Sequence, residues 1–362
     1  MRVLLTGGGG FLGRAILVQL RAAGHQVRVL SRRELPPLAA VPVGVPVGVL
    51  EGVLEGVPGG VPVDVVRGDL RDARDVARAV AGSDAVVHCA ARTGFWGPYE
   101  DFFETNVRGT EHVLAACRRH GVDRLVLTSS PSVVHGGRDL AGVDESVPYA
   151  TRFTCHYPYT KAIAEQLVLA ANGSRLATCA LRPHLVWGPG DPHFVPRFAA
   201  AARRGRLRQI GPGDRLIDTV YVDNAAHAHL LALERLEPGS VPAGKAYFIT
   251  QDDPRPVAAT INLWLGAAGL PPEHRRISVA AARVIAAAGE TAWRLGSLPG
   301  APPLTRFLLE HLTTEHWFDI GAARRDLGYA PLISTARGLD RLRAALSGHR
   351  AGSGSVPVTE EI

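Results

Sequence analysis

The chain has 362 residues, of which 46% are hydrophobic and 20% charged, with a formal net charge of +6 at pH 7 and a mean hydropathy of +0.07. A chain of this length and polarity buries a full core and has room for more than one domain, which excludes wholesale disorder. The longest uncharged run, residues 256–272, is bounded by prolines and interrupted by Thr260 and Asn262, so no membrane-spanning helix is expected.

In chain order, residues 3–6 are a short apolar run that stops in four glycines, after which Leu12, Ile16, Leu17 and Leu20 recur at helical spacing until Gly24. The pattern predicts strand, tight loop, helix. Further strands are predicted at 27–30, 63–66, 85–87, 125–128 and 178–182, with helices at 72–80, at 101–120 and from about 157. Strands alternating with helices predict an α/β fold with a doubly wound parallel sheet covered on both faces. Between the second and third strands, residues 41–64 repeat a tetrad, VPVG, VPVG, VLEG, VLEG, VPGG, VPVD. Its prolines and glycines push the backbone to turns and extended states, and a mobile surface insertion is expected. Later segments at 194–204, 257–269, 280–295 and 304–312 look helical and are separated by turn residues. The expected division is a dinucleotide-binding unit at 1–182 to which 220–252 returns, a smaller, mainly helical substrate region at 183–219 and 253–346, and a frayed tail at 347–362.

The opening residues run directly into glycines without the apolar stretch of a secretory signal, and the expected location is the cytoplasm. Cys89, Cys117, Cys155 and Cys179 have no ligand spacing and are expected to be buried thiols, with no metal. His227 and His229 stand two residues apart on an expected helix, point to different faces, and are expected to be surface or packing residues. The arginines are spread along the chain without an aromatic-laced basic block, so nucleic acid is not an expected partner. Among the 40 basic residues only Lys161 and Lys245 are lysines. A lysine kept at one place suggests that a compact ammonium is needed there.

Gly7, Gly10 and Gly13 form G-x-x-G-x-x-G between the first strand and the first helix. There the backbone N–H groups of a helix start can meet a pyrophosphate, and glycines let the two backbones approach. A Rossmann-type dinucleotide site follows. At the end of the second strand stand Ser31, Arg32 and Arg33 in place of the carboxylate that usually meets the ribose of NAD. A hydroxyl and two guanidinium groups favour the extra phosphate of NADP(H), with NAD(H) the second choice. Asp69, after the third strand, is placed to accept from the adenine amino group, unless Asp69 or Asp72 caps the next helix.

Tyr157-Pro158-Tyr159-Thr160-Lys161 contains Y-x-x-x-K, which on a helix sets a phenol and an ammonium one turn apart. The ammonium is expected to stabilise the phenolate and bring its pKa below the usual value of about 10, so that it exchanges a proton with a substrate oxygen. The fifth strand ends in Thr128-Ser129-Ser130, at the edge of the sheet where ligands bind.

These residues resemble the extended short-chain dehydrogenase/reductases over most of the chain, from Leu4 to about Leu342. The resemblance rests on TGGGGFLG at 6–13, GDL at 68–70, HCAA at 88–91, NVRGT at 106–110, LTSSPSVV at 127–134, YPYTK at 157–161, LRPHLVWGPGD at 181–191 and VYVDNAAHAHLLAL at 220–233. It implies that Ser130 positions the substrate oxygen, Tyr157 transfers the proton and Lys161 also holds the nicotinamide ribose. Asn106 belongs to the helix beneath, supporting a relay water or the structure alone. Phe11, Leu12, Leu70 and Ala90, in the matching motifs, join the cofactor-binding set.

SSPSVV and WGPGDPHFVPR are most similar to the branch of 3β-hydroxysteroid dehydrogenases, sterol-carboxylate dehydrogenases and 2-alkyl-3-oxoalkanoate reductases. This implies a ketone–alcohol oxidoreductase acting on an apolar substrate such as a sterol, a β-keto acid or a polyketide-like molecule, and a homodimer. His184, Trp187, Phe194 and Tyr221 are expected at the substrate pocket, with core packing the alternative. Nucleotide-sugar dehydratases of the superfamily carry Asp-Glu where this chain has Pro131-Ser132, so internal dehydration is not expected. The alternative function is a nucleotide-sugar epimerase or reductase, with Arg197, Arg203, Arg204, Arg206 and Arg215 on the diphosphate. A non-catalytic cofactor sensor is the third reading, and the joint presence of Ser130, Tyr157 and Lys161 argues against it.

Overall fold

The computed structural model describes residues 1–35, 63–296 and 298–352. Residues 41–62 of the tetrad repeat and 353–362 of the expected tail lie outside the described residues. Seven parallel strands form the main sheet, in the order Ala246–Ile249, Ala177–Pro183, Arg124–Thr128, Ala85–His88, Arg2–Thr6, Gln26–Ser31, Asp64–Arg67. Both faces of the sheet are covered, so successive side chains alternate between two cores. Leu4, Val86, Leu125 and Ala180 pack on one side against Val76 and Val113. Leu5, Val87, Val126 and Leu181 pack on the other, against Ile16, Leu20 and Leu233. The chain runs outward from Arg2–Thr6 in one direction and resumes at Ala85–His88 in the other. That switch point opens a crevice at the carboxyl ends of the strands, where α/β sheets bind ligands.

The predicted helix at 101–120 is in fact broken. It begins as Tyr99–Phe102, widens into a π-helix at Phe103–Arg108 and resumes as Gly109–His120. Gly121 ends it in the left-handed conformation, at φ 68°. The π turn carries Asn106, which is 2% exposed, and such turns cluster at functional sites. Asp72, rather than Asp69, caps the helix Ala73–Val80, its carboxylate accepting from the backbone N–H groups of Arg74 and Asp75.

A second sheet was not legible in advance. It joins Arg255–Pro256, Leu216–Ile217, His316–Phe318 and Leu140–Val143, strands of two to four residues that are too short to show a period. A further core contains Trp187, Phe198, Tyr221 and Trp264, with Trp264 stacked on Phe194 and Phe198 at centroid distances of 6.2 and 6.1 Å.

Four histidines meet near this second sheet. His316 Nε2 donates to the His311 carbonyl at 2.7 Å, which leaves its Nδ1 to accept from His184 Nε2 at 3.1 Å. The rings of His135 and His311 lie 4.7 Å apart. Among the described residues no group of side chains is arranged to hold a metal, and no helix is long and apolar enough to cross a membrane. Burial holds His135 down to about 3 and His316 to about 4. Elsewhere in the core it does the same to His88, down to about 3, and to His229, down to about 4. The unfolded chain protonates these rings near pH 6.5 while the folded chain does not, so their contribution to stability is present above pH 6.5 and lost as pH falls toward 4. We expect about 2 kcal/mol of destabilisation per histidine between pH 7 and pH 5, opposed by the Asp218 carboxyl, which burial pushes up to about 6. Urea unfolding at pH 7, 6 and 5 measures it, and a flat profile contradicts the assignment.

Candidate active site

The glycine loop is built for close approach. Gly7 has φ +75°, and a Cβ there would come within 2.7 Å of the Ala90 nitrogen. A Cβ on Gly13 would stand 2.0 Å from the Gly7 carbonyl oxygen, which accepts from the Gly10 N–H at 2.9 Å. Gly10 begins the helix Phe11–Ala22, whose first turn has neither a side-chain cap nor an acidic residue. Its opening amides and the positive end of its dipole therefore suit an anion. Phe11 and Leu12 are partly buried against the third core, and Ala90 donates its N–H to Thr6 Oγ1 at 3.1 Å. Leu70 is 7% exposed and packs on the helix side, where a Cβ on Gly109 would meet it at 2.6 Å.

At the second strand end, Arg32 and Arg33 are exposed and Ser31 is half-buried. Ser31 Oγ accepts from the Arg33 N–H at 3.2 Å, and the Ser31 carbonyl accepts from Gly68, which ties the ends of the second and third strands together. Asp69 is gripped by the Arg71 guanidinium, with one contact at 2.7 Å, and hydrogen bonds from Arg71 hold its carboxyl below the usual range.

The proton-transfer residues converge at the carboxyl edge of the fifth strand. Tyr157 and Lys161 lie on the helix His156–Ala170, one turn apart. Lys161 Nζ donates to the Thr128 carbonyl at 2.6 Å. Thr128 is itself held from behind: His229 Nδ1 donates to the Ala225 carbonyl at 2.7 Å, so its Nε2 accepts from Thr128 Oγ1 at 2.8 Å. His229 thus packs in the core as expected of it, but against the strand end that fixes the lysine. Cys89 and Cys155, expected to be buried, are partly exposed and carry thiols close enough to bear on the Tyr157 phenol.

Ser130 Oγ accepts two hydrogen bonds from Ser132, one from its hydroxyl at 2.9 Å and one from its N–H at 3.2 Å. With its lone pairs so engaged, Ser130 is left to donate its one proton, and its hydroxyl is close enough to Tyr157 to pull the phenol's pKa down. Ser132 was missed in the sequence, where the only available signal was its place two residues after the strand-end hydroxyls.

The electrostatics of the phenol reverse the sequence expectation. Burial pushes Tyr157 up to about 12, and the Ser130 hydrogen bond pulls it down only in part. The Lys161 ammonium is brought down to about 8 by the same burial. Desolvation is the largest cause at both groups, and the ammonium is committed to the Thr128 carbonyl and not to the phenol.

Asn106 joins this helix to the rest of the site. Its Oδ1 accepts from the Arg92 N–H at 2.7 Å, and its Nδ2 donates to the Arg92 carbonyl at 3.1 Å and to Thr160 Oγ1 at 3.0 Å. Both amide hydrogens are engaged by protein. Thr110 donates to the Asn106 carbonyl and His88 bridges Thr110 to Thr6, so the network reaches the first strand.

Of the four side chains expected at the substrate pocket, Trp187 and Tyr221 are each 1% exposed. They lie within the third core, with ring centroids 5.3 Å apart and Trp187 Nε1 donating to Thr219 Oγ1. His184 is buried against His316, and Phe194 is half-buried on Trp264. The loop after the fourth strand sets Phe95 on Phe307, centroids 5.0 Å apart, and Trp96 beneath Arg294.

Comparison with known proteins agrees with this geometry. The chain is 49% identical over 348 residues to a 2-alkyl-3-oxoalkanoate reductase of Stenotrophomonas maltophilia (strain K279a), covering 95% of this chain and 99% of that protein. It is 36% identical over 347 residues to a 3 beta-hydroxysteroid dehydrogenase/Delta 5-->4-isomerase of Mycobacterium tuberculosis (strain ATCC 25618 / H37Rv), covering 93% and 88%. Among solved structures, a dTDP-glucose 4,6-dehydratase from Streptomyces venezuelae with NAD bound superposes with a TM-score of 0.71 at 25% identity, over 97% of this chain and 98% of that one. The profile of one family matches residues 4–276, and with the relatives above it establishes that the chain belongs to the 3-beta hydroxysteroid dehydrogenase/isomerase family.

Proposed function

We propose that this protein is a nicotinamide-dinucleotide-dependent ketoreductase that interconverts a ketone and a secondary alcohol on an apolar substrate, a 2-alkyl-3-oxoalkanoate or a sterol-like molecule. The observation that carries this reading is the set Ser132, Ser130, Tyr157, with Lys161 pinned to Thr128 at the carboxyl end of the strand next to the switch point. Gly7, Gly10, Gly13 and the helix start would hold the pyrophosphate of a bound dinucleotide, and Lys161 would be the residue to hold its nicotinamide ribose. When bound, the dinucleotide supplies or accepts the hydride. Ser130 donates to the substrate carbonyl oxygen and polarises it, and Tyr157 delivers a proton to that oxygen as the carbon is reduced. A phenol raised to about 12 stays in its proton-donor form at neutral pH, which suits reduction. Asn106 acts in this scheme by holding the catalytic helix against the Arg92 loop.

The exposed Arg32 and Arg33 beside Ser31 support a preference for NADP(H) over NAD(H). The same reading includes a cytoplasmic enzyme and a homodimer. Against a nucleotide-sugar epimerase stand the engagement of Arg197 with the Pro302 and Pro303 carbonyls and of Arg215 with Asp139 at 3.7 Å. A panel of ketones, β-keto acids and 3-hydroxy acids, followed by NADPH and NADH absorbance, tests the reaction. Turnover confined to nucleotide sugars overturns it. Replacing both Arg32 and Arg33 by Ala is expected to lower the kcat/KM ratio of NADPH to NADH about 10- to 100-fold. An unchanged ratio removes the phosphate contact.

A further inference from the structure

The fold pairs the arginine that it buries for structure. Arg182, 4% exposed at its side chain, is held by the Glu165 carboxylate at 2.6 Å. Arg92 differs in its counter-charge. Its Nε, like Arg182 Nη1, is buried without a hydrogen-bond partner, but among the described residues no carboxylate pairs with it. The guanidinium lies 5.9 Å from the centre of the Phe102 ring, a weaker contact than an ion pair. Keeping a partly desolvated charge without a counter-charge is costly, and a ligand anion removes the cost.

The position of Arg92 identifies that ligand. Its backbone is clamped on both sides by Asn106, whose amide also bonds Thr160, the residue before Lys161. Thr160 Oγ1 in turn lies 3.0 Å from the carbonyls of His156 and Tyr157. Phe102, beneath the guanidinium, meets the His156 ring at 6.2 Å. Three residues on, the same loop presents Phe95 to Phe307. A cation thus stands at the root of an aromatic-walled loop that is tied to the catalytic helix.

We propose that Arg92 is the receptor for a carboxylate on the substrate, so that the enzyme takes an alkanoate whose charged end sits on Arg92 while its alkyl chains lie along the apolar walls. This proposal rests on the ketoreductase reading, chooses its acid substrates over its sterol-like ones, and names the residue that makes the choice. A guanidinium matches a carboxylate with two parallel N–H donors, and fixing one end of the substrate orients the carbonyl toward Tyr157.

The test uses a 2-alkyl-3-hydroxyalkanoic acid and its methyl ester in the oxidative direction, because the hydroxy acid does not decarboxylate. For the wild type we expect the acid to be favoured over the ester. In Arg92→Met the acid-to-ester ratio of kcat/KM falls about 100-fold, the scale of losing one partner of a desolvated charge pair, and Arg92→Lys falls between. The Tm of Arg92→Met stays at or above the wild-type value, because among the described residues no carboxylate loses its partner and the methionine sulfur can still meet the Phe102 ring. Dinucleotide affinity, read by NADPH fluorescence, changes less than threefold.

Equal losses on acid and ester, or a lowered Tm, overturn the proposal by making Arg92 a structural residue. Weakened NADPH binding in parallel with turnover overturns it in favour of the cofactor pyrophosphate. If no ketone or alcohol is turned over by the wild type, the ketoreductase reading fails. Titration of the hydroxy acid into the enzyme–NADPH complex still scores Arg92, since binding lost in Arg92→Met supports the anion site and equal binding refutes it. If wild-type turnover is present but shows no preference for the acid, Arg92 fails and the ketoreductase reading stands.

Discussion

Replacing Tyr157 by Phe is expected to lower kcat about 1,000-fold, within the range contributed by a positioned general acid, while changing dinucleotide affinity less than threefold. The substitution removes one oxygen. The ring still fills its place on the helix His156–Ala170, and Lys161 keeps its bond to the Thr128 carbonyl. Ser130 also keeps its two hydrogen bonds from Ser132, so the carbonyl oxygen is still polarised but has no proton donor. Single-turnover absorbance at saturating NADPH measures the loss. A fall of less than tenfold assigns the proton to another group and removes the basis of the mechanism.

The second large effect concerns stability beneath the same helix. Glu165, fully buried at its side chain, takes a bidentate grip from Arg182 and accepts from the Tyr149 hydroxyl at 2.7 Å. The Arg182 guanidinium also lies 5.1 Å from the Phe248 ring centre. Glu165→Ala strands that guanidinium in the core, and we expect about 3–5 kcal/mol of destabilisation, read from the urea midpoint. Glu165→Met combined with Arg182→Met is expected to recover most of it, because removing both charges together leaves no unpaired ion. A double variant as unstable as the single one shows that packing, and not the stranded charge, sets the cost.

Much of the chemistry was visible in the amino-acid order. The glycine spacing and the strands around it appear where expected, because a parallel strand buried on both faces leaves an unbroken apolar run. The Y-x-x-x-K pair is legible for a similar reason, since two residues four apart must share a helix face. The sign of the Tyr157 shift was not legible. A pattern gives the neighbour but not the depth, and depth decides whether desolvation or charge prevails.

Pocket residues were the least readable. Trp187, beside a glycine-rich turn, and Tyr221 are aromatic, which fits a binding wall as well as a core, and only their 1% exposure places them inside. Arg92 and His229 had no local signal, because each acquires its place from a partner on another element, Asn106 and Thr128, while Ser132 had only its spacing from Ser130.

By itself, then, the order of residues determined the alternating strands and helices, the phosphate-binding turn and the phenol–lysine pair, all of which depend on neighbours within a few positions. Tertiary structure decided the four-stranded second sheet, the histidine cluster, the direction in which burial moves the phenol, and the Arg92 guanidinium that meets no carboxylate among the described residues. These depend on which distant groups meet and on how much water is excluded where they do, and neither is written in local spacing.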